Sequence, residues 1–346
     1  MTADRSKQYF GSWQSSAVTI VSLGMVTYVL LQLGDWGIVN SVWKTEAGQG
    51  CDHDVGACWA VITDRYRLIF FGLFPHEEHW RSAMAMLVIT VTGVLSCLPV
   101  FWKFLRISLL WAIGFITFIL LMRGGFFGMP LVKTAAWGGL SLTLIIFAAT
   151  VAIGMPLSIV ITFARRSSLP VLRYSVSFVV DITRSLPLVT ILFTAAFVLP
   201  FGLPDWAEGD ILIRVILAFA FFFACYQSEV LRAGLQAIPD GQYDGARALG
   251  LNRWQEILLI ILPQAFRNAL PPTINQIVIT FKETSLVVII GLFEILASAN
   301  AAYGTAIWAN TYVEVYVLVA AVYFTFVFCL SRYGAYLERK MRIGEN

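Results

Sequence analysis

The long segments without a charged residue constrain this chain more than any other feature of its sequence. Six segments of about the length that a helix needs to cross a bilayer carry no Asp, Glu, Lys or Arg, and a shorter seventh covers 107–122. Only 13% of the 346 residues are charged, against about 25% in soluble domains, so the chain cannot cover a water-facing surface. The sequence therefore predicts an all-α polytopic membrane protein. The six segments are 8–34, 82–102, 134–164, 185–204, 295–313 and 315–331.

The basic residues predict the orientation of the chain, because Lys and Arg favour short cytoplasmic loops. They cluster before the first uncharged segment, in the turn 103–106, in 165–173 and after the last segment, whereas 201–210 is acidic. This alternation predicts about eight spans with both termini in the cytoplasm. No small-residue cleavage pattern follows the first segment, so we interpret it as a retained anchor. The basic residues are Arg5, Lys7, Lys103, Arg106, Arg165, Arg166, Arg173, Arg332, Arg339, Lys340 and Arg342.

The predicted spans fall into two groups along the chain. Residues 1–136 are a predicted N-terminal extension with three transmembrane helices and an outside loop at 37–82. Residues 137–346 are a predicted five-helix core with a large inside loop at 238–271. The predicted spans are 16–36, 83–101, 105–122, 137–163, 172–199, 211–237, 272–297 and 312–333.

The inside loop contains a polar stretch with regularly placed helix breakers, DGARALGLNRWQEILLIILP at 244–263. Asp240 is a predicted N-cap, and Gly250 can end the first helix in a left-handed conformation. A second helix from Trp254 is predicted to stop at Pro263. The spacing alone leaves two interpretations open. The stretch is either a helix-turn-helix element that docks a cytosolic partner or an ordinary loop.

The same stretch resembles the EAA loop of permeases from ATP-binding-cassette (ABC) transporters. The pattern of that loop is E-A-A, three residues, G, nine residues and I-x-L-P. This chain departs from it at Asp244, which keeps the negative charge, and at Gly245, which costs about 1 kcal/mol of helix stability relative to alanine. The residues at the matching positions are Asp244, Gly245, Ala246, Gly250, Ile260, Leu262 and Pro263.

Flanking motifs narrow the resemblance to the polar amino-acid uptake branch of these permeases. Three stretches within 137–333 are similar to motifs of that branch, and GACWAVI at 56–62 is similar to the long permeases of general L-amino-acid importers. The three stretches are DITRSLPLV at 181–189, SEVLRAGLQAIPDGQ at 228–242 and FKETSLVVIIGLFEIL at 281–296.

The resemblance implies a permease subunit that moves L-amino acids across the bacterial inner membrane into the cytoplasm. It also implies a cytosolic ATPase dimer that engages 240–263, a second homologous permease in a heterodimer, and a periplasmic amino-acid-binding protein. The residues agree, because no lysine follows a glycine and the chain therefore has no phosphate-binding loop. We expect ATP and Mg²⁺ to be used by the ATPase, and this chain to be no enzyme and to bind no cofactor and no nucleic acid. The alternatives are a stand-alone secondary amino-acid transporter or channel, or an intramembrane enzyme, although no histidine lies in a predicted span.

Four charged residues lie within predicted spans at a depth near the membrane midplane, provided that each span is a straight helix entered from inside. In the functional interpretation, Arg184 and Lys282 face the carboxylate of an amino acid, with Glu283 or Asp181 opposite its ammonium group. In the alternative interpretation, Asp181 and Arg184, three residues apart, only pair with each other. The sequence leaves both interpretations open.

Two cysteines, Cys51 and Cys58, lie in the loop at 37–82, which the predicted topology places outside. An external cysteine pair so close in sequence predicts a disulfide. The histidines of HEEH at 76–79 do not have the spacing of a zinc-protease motif, so we expect no metal site.

Overall fold

The computed structural model describes residues 9–46, 50, 51, 56–126 and 128–342, so Arg5 and Lys7 of the topology prediction lie outside the described residues. Within these residues, regular structure is helical and strand-like pairing is limited to isolated bridges. The predicted all-α membrane fold is confirmed. The α-helices are α1 (Trp13–Gly34), α2 (Ala60–Phe71), α3 (His79–Ser96), α4 (Phe104–Arg123), α5 (Gly139–Arg165), α6 (Pro170–Ser185), α7 (Leu188–Phe193), α8 (Asp205–Glu208), α9 (Ile211–Gln236), α10 (Asp240–Ala248), α11 (Arg253–Gln255), α12 (Leu262–Glu283), α13 (Ile295–Tyr303) and α14 (Tyr312–Arg342).

A helical segment lies at each of the predicted spans. In the described part of the chain, six helices are long and apolar enough to cross a membrane, or seven if the bent pair α6 and α7 is one span. Helix α3 lies at the predicted span 83–101 but is not among these helices, because His79 and Arg81 in its first turn make it less apolar. The six helices are Trp13–Val39, Phe104–Arg123, Gly139–Arg165, Ile211–Gln236, Arg253–Ile290 and Tyr312–Lys340.

The predicted span at 172–199 is not a straight helix. Helix α6 ends at Ser185, Leu186 is extended, and α7 begins after Pro187, with a bend of 107°. A proline disfavours the helical conformation in the residue before it, which explains the break at Leu186. Asp181 and Arg184 lie near the end of α6, before the bend, and their predicted midplane depth stays a prediction.

Contacts within the chain divide it into two compact units. The first consists of Met1–Tyr66 and Asn300–Leu318, and the second of Arg67–Ala299 and Val319–Asn346. The division predicted from the order of the spans, 1–136 and 137–346, stays a prediction.

The first unit contains the disulfide loop. Cys51 and Cys58 are joined in the structure, with their Cα atoms 6.0 Å apart. The backbone N–H of Cys58 donates to the buried carboxylate of Glu314 at 2.7 Å. The indole of Trp308 donates to Asp64 at 3.1 Å. These bonds attach the disulfide loop and the start of α2 to the segment around the start of α14.

The centre of the second unit is the closely packed pair of α5 and α9, with α12 against α9. At Gly234 of α9, an added Cβ would lie 2.6 Å from the carbonyl oxygen of Ala265 in α12. Only glycine allows two backbones to approach so closely. This contact fixes the relative position of α9 and α12, the two helices that the loop at 238–261 connects.

Helices α3 and α4 are held together by a fully buried arginine. The guanidinium of Arg81 donates to the carbonyls of Leu121 at 2.7 Å and Pro130 at 3.0 Å, and it pairs with Glu78 at 3.2 Å. The Leu121 carbonyl belongs to the last turn of α4, where carbonyls have no partner within the helix. Arg81 therefore caps α4 and fixes the loop that follows it, and these bonds compensate the burial of its charge.

Candidate functional site

A hairpin of α10, a turn at Gly250 and α11 connects α9 to α12. Helix α10 begins after Pro239, so Asp240 lies in its first turn and is not the N-cap that the sequence predicts. A carboxylate in that turn still interacts favourably with the helix dipole. Gly250 has φ +74°, which confirms the predicted left-handed turn. Asn252 then caps α11 in a reciprocal capping box with Gln255.

Pro263 does not end the second arm of the hairpin, contrary to the prediction. The chain stays helical over Arg253–Ile290, and a π-helical segment, Glu256–Ile261, directly precedes α12, which has Pro263 in its first turn. In an α-helix, proline lacks the N–H for one hydrogen bond, and its ring clashes with the carbonyl four residues earlier. The wider π turn relieves both problems. The second arm of the hairpin and the following span are therefore one helix.

One face of the hairpin packs against the chain's own helices. Ala246 is buried and supports the hairpin from within, whereas the motif match predicts it among the residues that engage the ATPase, a role that stays a prediction. Gly245 is exposed, and an added Cβ there would meet no atom within 4 Å. The apolar cluster at the base of the hairpin contains Leu235, Ile238, Ile261 and Ala265, with Tyr243 and Ile260 packed against it.

Arg247 links the two arms of the hairpin by charge. Its guanidinium lies 3.5 Å from the buried carboxylate of Glu256 and 3.8 Å from Asp244. The pair with Asp244 is exposed on both sides, so its contribution is at most about 1 kcal/mol. The backbone N–H of Leu251 also donates to the carbonyl of Ala246 at 3.3 Å. These bonds and the apolar base hold the hairpin as one body.

The turn of the hairpin, residues 249–254, exposes two large apolar side chains. Leu249 is 79% exposed and Trp254 is 74% exposed. Large apolar side chains grouped on a protruding turn mark an interaction surface. We call residues 249–254 the hairpin tip. With the exposed Asp244, Gly245 and Arg253, the tip offers a partner both apolar area and charges of both signs.

A separate ionic network centres on Glu229 in α9. Its carboxylate contacts Arg165 at the end of α5 and lies 3.3 Å from Arg184 of α6 and 2.7 Å from Arg232 of α9. The spacing of three predicts a structural pair of Glu229 and Arg232, which the structure confirms. The other two arginines come from different helices, so the network joins the ends of α5 and α6 to α9.

Asp181 pairs with Arg165 at 3.6 Å and not with Arg184, so the alternative interpretation of a local Asp181–Arg184 pair is wrong. Arg184 also lies over the ring of Tyr226, 5.3 Å from its centroid, and the Tyr226 hydroxyl donates to the Arg184 carbonyl at 3.1 Å. Arg165 is not among the site residues predicted from the sequence. As a basic residue at the end of a span, it served there only to predict the orientation of the chain. The charge of Glu229 within a predicted span, where a charge is costly, was the available hint of partners beyond Arg232.

Lys282 and Glu283 end α12, where the helix changes to the 3-10 segment Thr284–Ile290. Lys282 is exposed, and the Oε2 atom of Glu283 is buried without a hydrogen-bond partner among the described residues. Within that same set, no salt bridge connects either residue to the Glu229 network. The 3-10 segment packs against α7, so the end of α12 and the bent pair α6–α7 are neighbours.

Residues 151–343 match the family described as the binding-protein-dependent transport system inner membrane component. The chain belongs to this family. The resemblance to transport permeases that its motifs indicate is thereby confirmed. As a binding-protein-dependent transport component, the chain is a multi-pass membrane subunit of a transporter.

Two relatives of this family match almost the whole chain. The inner membrane amino-acid ABC transporter permease protein YhdY of Escherichia coli (strain K12) is 37% identical over 343 residues, 98% of this chain and 92% of YhdY. The glutamate/glutamine/aspartate/asparagine transport system permease protein BztC of Rhodobacter capsulatus is 29% identical and covers 95% of this chain and 91% of BztC. Both matches include the N-terminal extension, so these permeases share it.

A crystal structure of an amino acid ABC transporter with histidines is similar to part of the chain, with a TM-score of 0.52 and 28% identity. The similar part covers 58% of this chain and 92% of the chain in that crystal structure. The relatives and this structure therefore agree on the permease fold.

Proposed function

We propose that this chain is the transmembrane permease subunit of an ATP-driven importer that moves L-amino acids across the inner membrane into the cytoplasm. YhdY and the crystal structure are named for amino-acid ABC transporters, and BztC for the transport of acidic amino acids and their amides. These names support an amino-acid substrate for a chain that matches YhdY nearly end to end.

The proposed importer needs subunits that this chain does not supply. A cytosolic ABC ATPase dimer uses ATP and Mg²⁺, a second homologous permease completes a heterodimer, and a periplasmic amino-acid-binding protein delivers the substrate. In the proposed topology both termini lie in the cytoplasm, and the loop at 37–82 faces the periplasm. The hairpin then lies on the side of the ATPase.

The hairpin at 240–263 is the proposed coupling element. The observation that carries this proposal is the continuous helix Arg253–Ile290, which begins in the hairpin and runs on through a membrane span. A continuous helix transmits a displacement at one end to the other. In this proposal Asp244, Gly245 and Gly250 with the hairpin tip contact the ATPase. The residues that support the hairpin from within are Ala246, Leu262 and Pro263.

Asp181, Arg184, Lys282 and Glu283 are the proposed residues of the substrate path. The exposed ammonium of Lys282 attracts the carboxylate of an amino acid. The Oε2 atom of Glu283 can accept a hydrogen bond from the substrate's ammonium, a bond that this buried atom lacks within the chain. Interrupted helices frame substrate sites in secondary transporters; by analogy, the bend between α6 and α7 at Pro187 supports a site here.

The test is uptake of radiolabelled amino acids into proteoliposomes that contain this chain with its ATPase, partner permease and binding protein. We expect uptake to require ATP on the ATPase side and to be independent of ion gradients. Uptake that follows an ion gradient with the ATPase absent would instead support the stand-alone secondary transporter or channel. Competition by unlabelled amino acids then defines the substrate range.

A further inference from the structure

An apolar groove of about 800 Å³ lies between α4 on one side and α5 and α9 on the other, in the second unit. Helix α4 packs mainly on α3, and α3 packs on α5, so α4 stands back from α9 and leaves this space. The side chains that line the groove along its length are apolar, among them Phe115, Ile119, Ile145, Ile153 and Ile216.

Two cations stand at one end of the groove, Arg123 at the end of α4 and Lys133 in the following loop. The backbone N–H of Val132 donates to the carbonyl of Arg123 at 2.7 Å, which brings the backbone of Lys133 close to that of Arg123. Both side chains are exposed, and neither forms an ion pair within the residues that the structure describes. We call Arg123 and Lys133 the cationic rim.

One carboxylate, Asp210, also lines this end of the groove. Its Oδ1 atom accepts from the backbone N–H of Leu212 at 2.7 Å, and its Oδ2 atom accepts from the hydroxyl of Thr134. Asp210 is thus engaged in capping α9 and does not pair with the cationic rim. The local charge of the three residues remains positive.

The loop that carries the cationic rim is fixed from behind. Buried Arg81 holds the carbonyls of Leu121 and Pro130 on the two sides of the loop at 124–130. The cations therefore project from a backbone that is already ordered, which lowers the entropic cost of binding a ligand.

Helices α4, α5 and α9 are three of the helices apolar enough to span a membrane, so the groove between them opens to lipid. An occupant must be apolar along the groove and negatively charged where it reaches the rim. We propose that the groove binds one anionic glycerophospholipid, with an acyl chain along the apolar walls and its phosphate between Arg123 and Lys133. Basic side chains beside a membrane surface attract anionic headgroups, and apolar walls accept an acyl chain without unpaired polar groups.

The test uses the assembled transporter in nanodiscs and measures bound lipid by mass spectrometry, with phosphatidylglycerol or phosphatidylcholine supplied. We expect wild type to retain phosphatidylglycerol in preference to phosphatidylcholine. The double variant Arg123→Gln/Lys133→Gln should bind phosphatidylglycerol roughly tenfold to thirtyfold more weakly. The matched control Lys103→Gln/Arg106→Gln removes the same charge at the other end of α4 and should bind like wild type. Ala149→Phe should reduce retention of both lipids, because the added ring fills the groove.

Three results would overturn the proposal. In the first, the rim variant retains phosphatidylglycerol as wild type does. In the second, the control variant loses it as strongly as the rim variant, which would indicate that surface charge alone attracts the lipid. Retention only when the partner permease is absent would show that a protein covers the groove. Unfolding midpoints of each variant in phosphatidylcholine separate a loss of lipid from a loss of fold.

Discussion

Removal of Glu229 should disturb the second unit, because one carboxylate pairs with three guanidinium groups. Glu229→Gln leaves Arg165, whose side chain is only 11% exposed, without its main counter-charge. Removing one partner of a buried pair is strongly destabilising, and for this partly exposed network we expect a loss of about 2–4 kcal/mol. The measurement is the unfolding midpoint of the purified protein in detergent.

Asp181→Asn is the matched control for Glu229→Gln, since it removes one carboxylate from the same network. Its side chain is 65% exposed, so we expect a change within about 0.5 kcal/mol. Equal midpoints for the two variants would show that Glu229 is not the centre of the network. Glu229→Asp should recover part of the lost stability.

Lys282 differs from the network residues, because its ammonium forms no salt bridge among the described residues. Lys282→Gln should raise the substrate concentration for half-maximal uptake by roughly tenfold, the effect of about 1.4 kcal/mol, and should leave assembly with the ATPase intact. Lys103→Gln removes an exposed lysine far along the chain and serves as the control. A lower maximal rate with unchanged half-saturation would contradict a role of Lys282 in substrate attraction.

At the scale of elements, the turn of the hairpin gives the sharpest test. Gly250 is left-handed, and an added Cβ there would meet no atom within 4 Å, so a side chain costs backbone strain of about 1–2 kcal/mol without a clash. Gly250→Arg adds this strain and also places bulk on the tip. We expect the variant to insert normally, with uptake and substrate-stimulated ATP hydrolysis both lost.

Gly250→Asn separates the effect of backbone strain from that of side-chain bulk, because asparagine tolerates the left-handed conformation better than most residues. It should retain more coupling than Gly250→Arg.

Asp244→Ala should act in the same direction as Gly250→Arg but more mildly, since it removes one exposed charge worth a few tenths to 1 kcal/mol. Wild-type uptake by Gly250→Arg with the ATPase bound would exclude the hairpin as the coupling element.

Two prolines show how far the sequence predicts the elements. The sequence predicts a helix stop at Pro263 and an unbroken span through Pro187, yet the chain bends by 107° at Pro187 and stays helical at Pro263 after a π segment. A proline in the sequence indicates a missing N–H and a clash of its ring within a helix. Whether the helix then bends or widens into a π turn depends on the helices packed around it. The hairpin, Gly250 and most span positions follow from local signals. The partners of Glu229 come from separate helices, so no local pattern could identify them.

At the scale of the whole molecule, the disulfide tests the topology. With the free cysteines Cys97, Cys225 and Cys329 replaced by alanine, Cys51 and Cys58 should resist a membrane-impermeant maleimide until a reductant is added. After reduction, intact spheroplasts should be labelled from outside, because the proposed topology places this loop in the periplasm. Opening a loop of this size should lower stability by about 2–3 kcal/mol. Labelling only in inverted vesicles would reverse the orientation of the whole chain.

Arg81 also has a consequence for the order in which the nascent chain enters the membrane. The carbonyls that accept its hydrogen bonds lie 40 and 49 residues later in the sequence, so α3 is synthesised before its charge has these partners. An arginine without such partners opposes insertion, by about 2.5–3.5 kcal/mol at the centre of a span and less near its end. We therefore expect α3 to stay at the translocon until α4 has been synthesised and to enter the bilayer together with it. The pair becomes stable once the chain has been synthesised past Pro130.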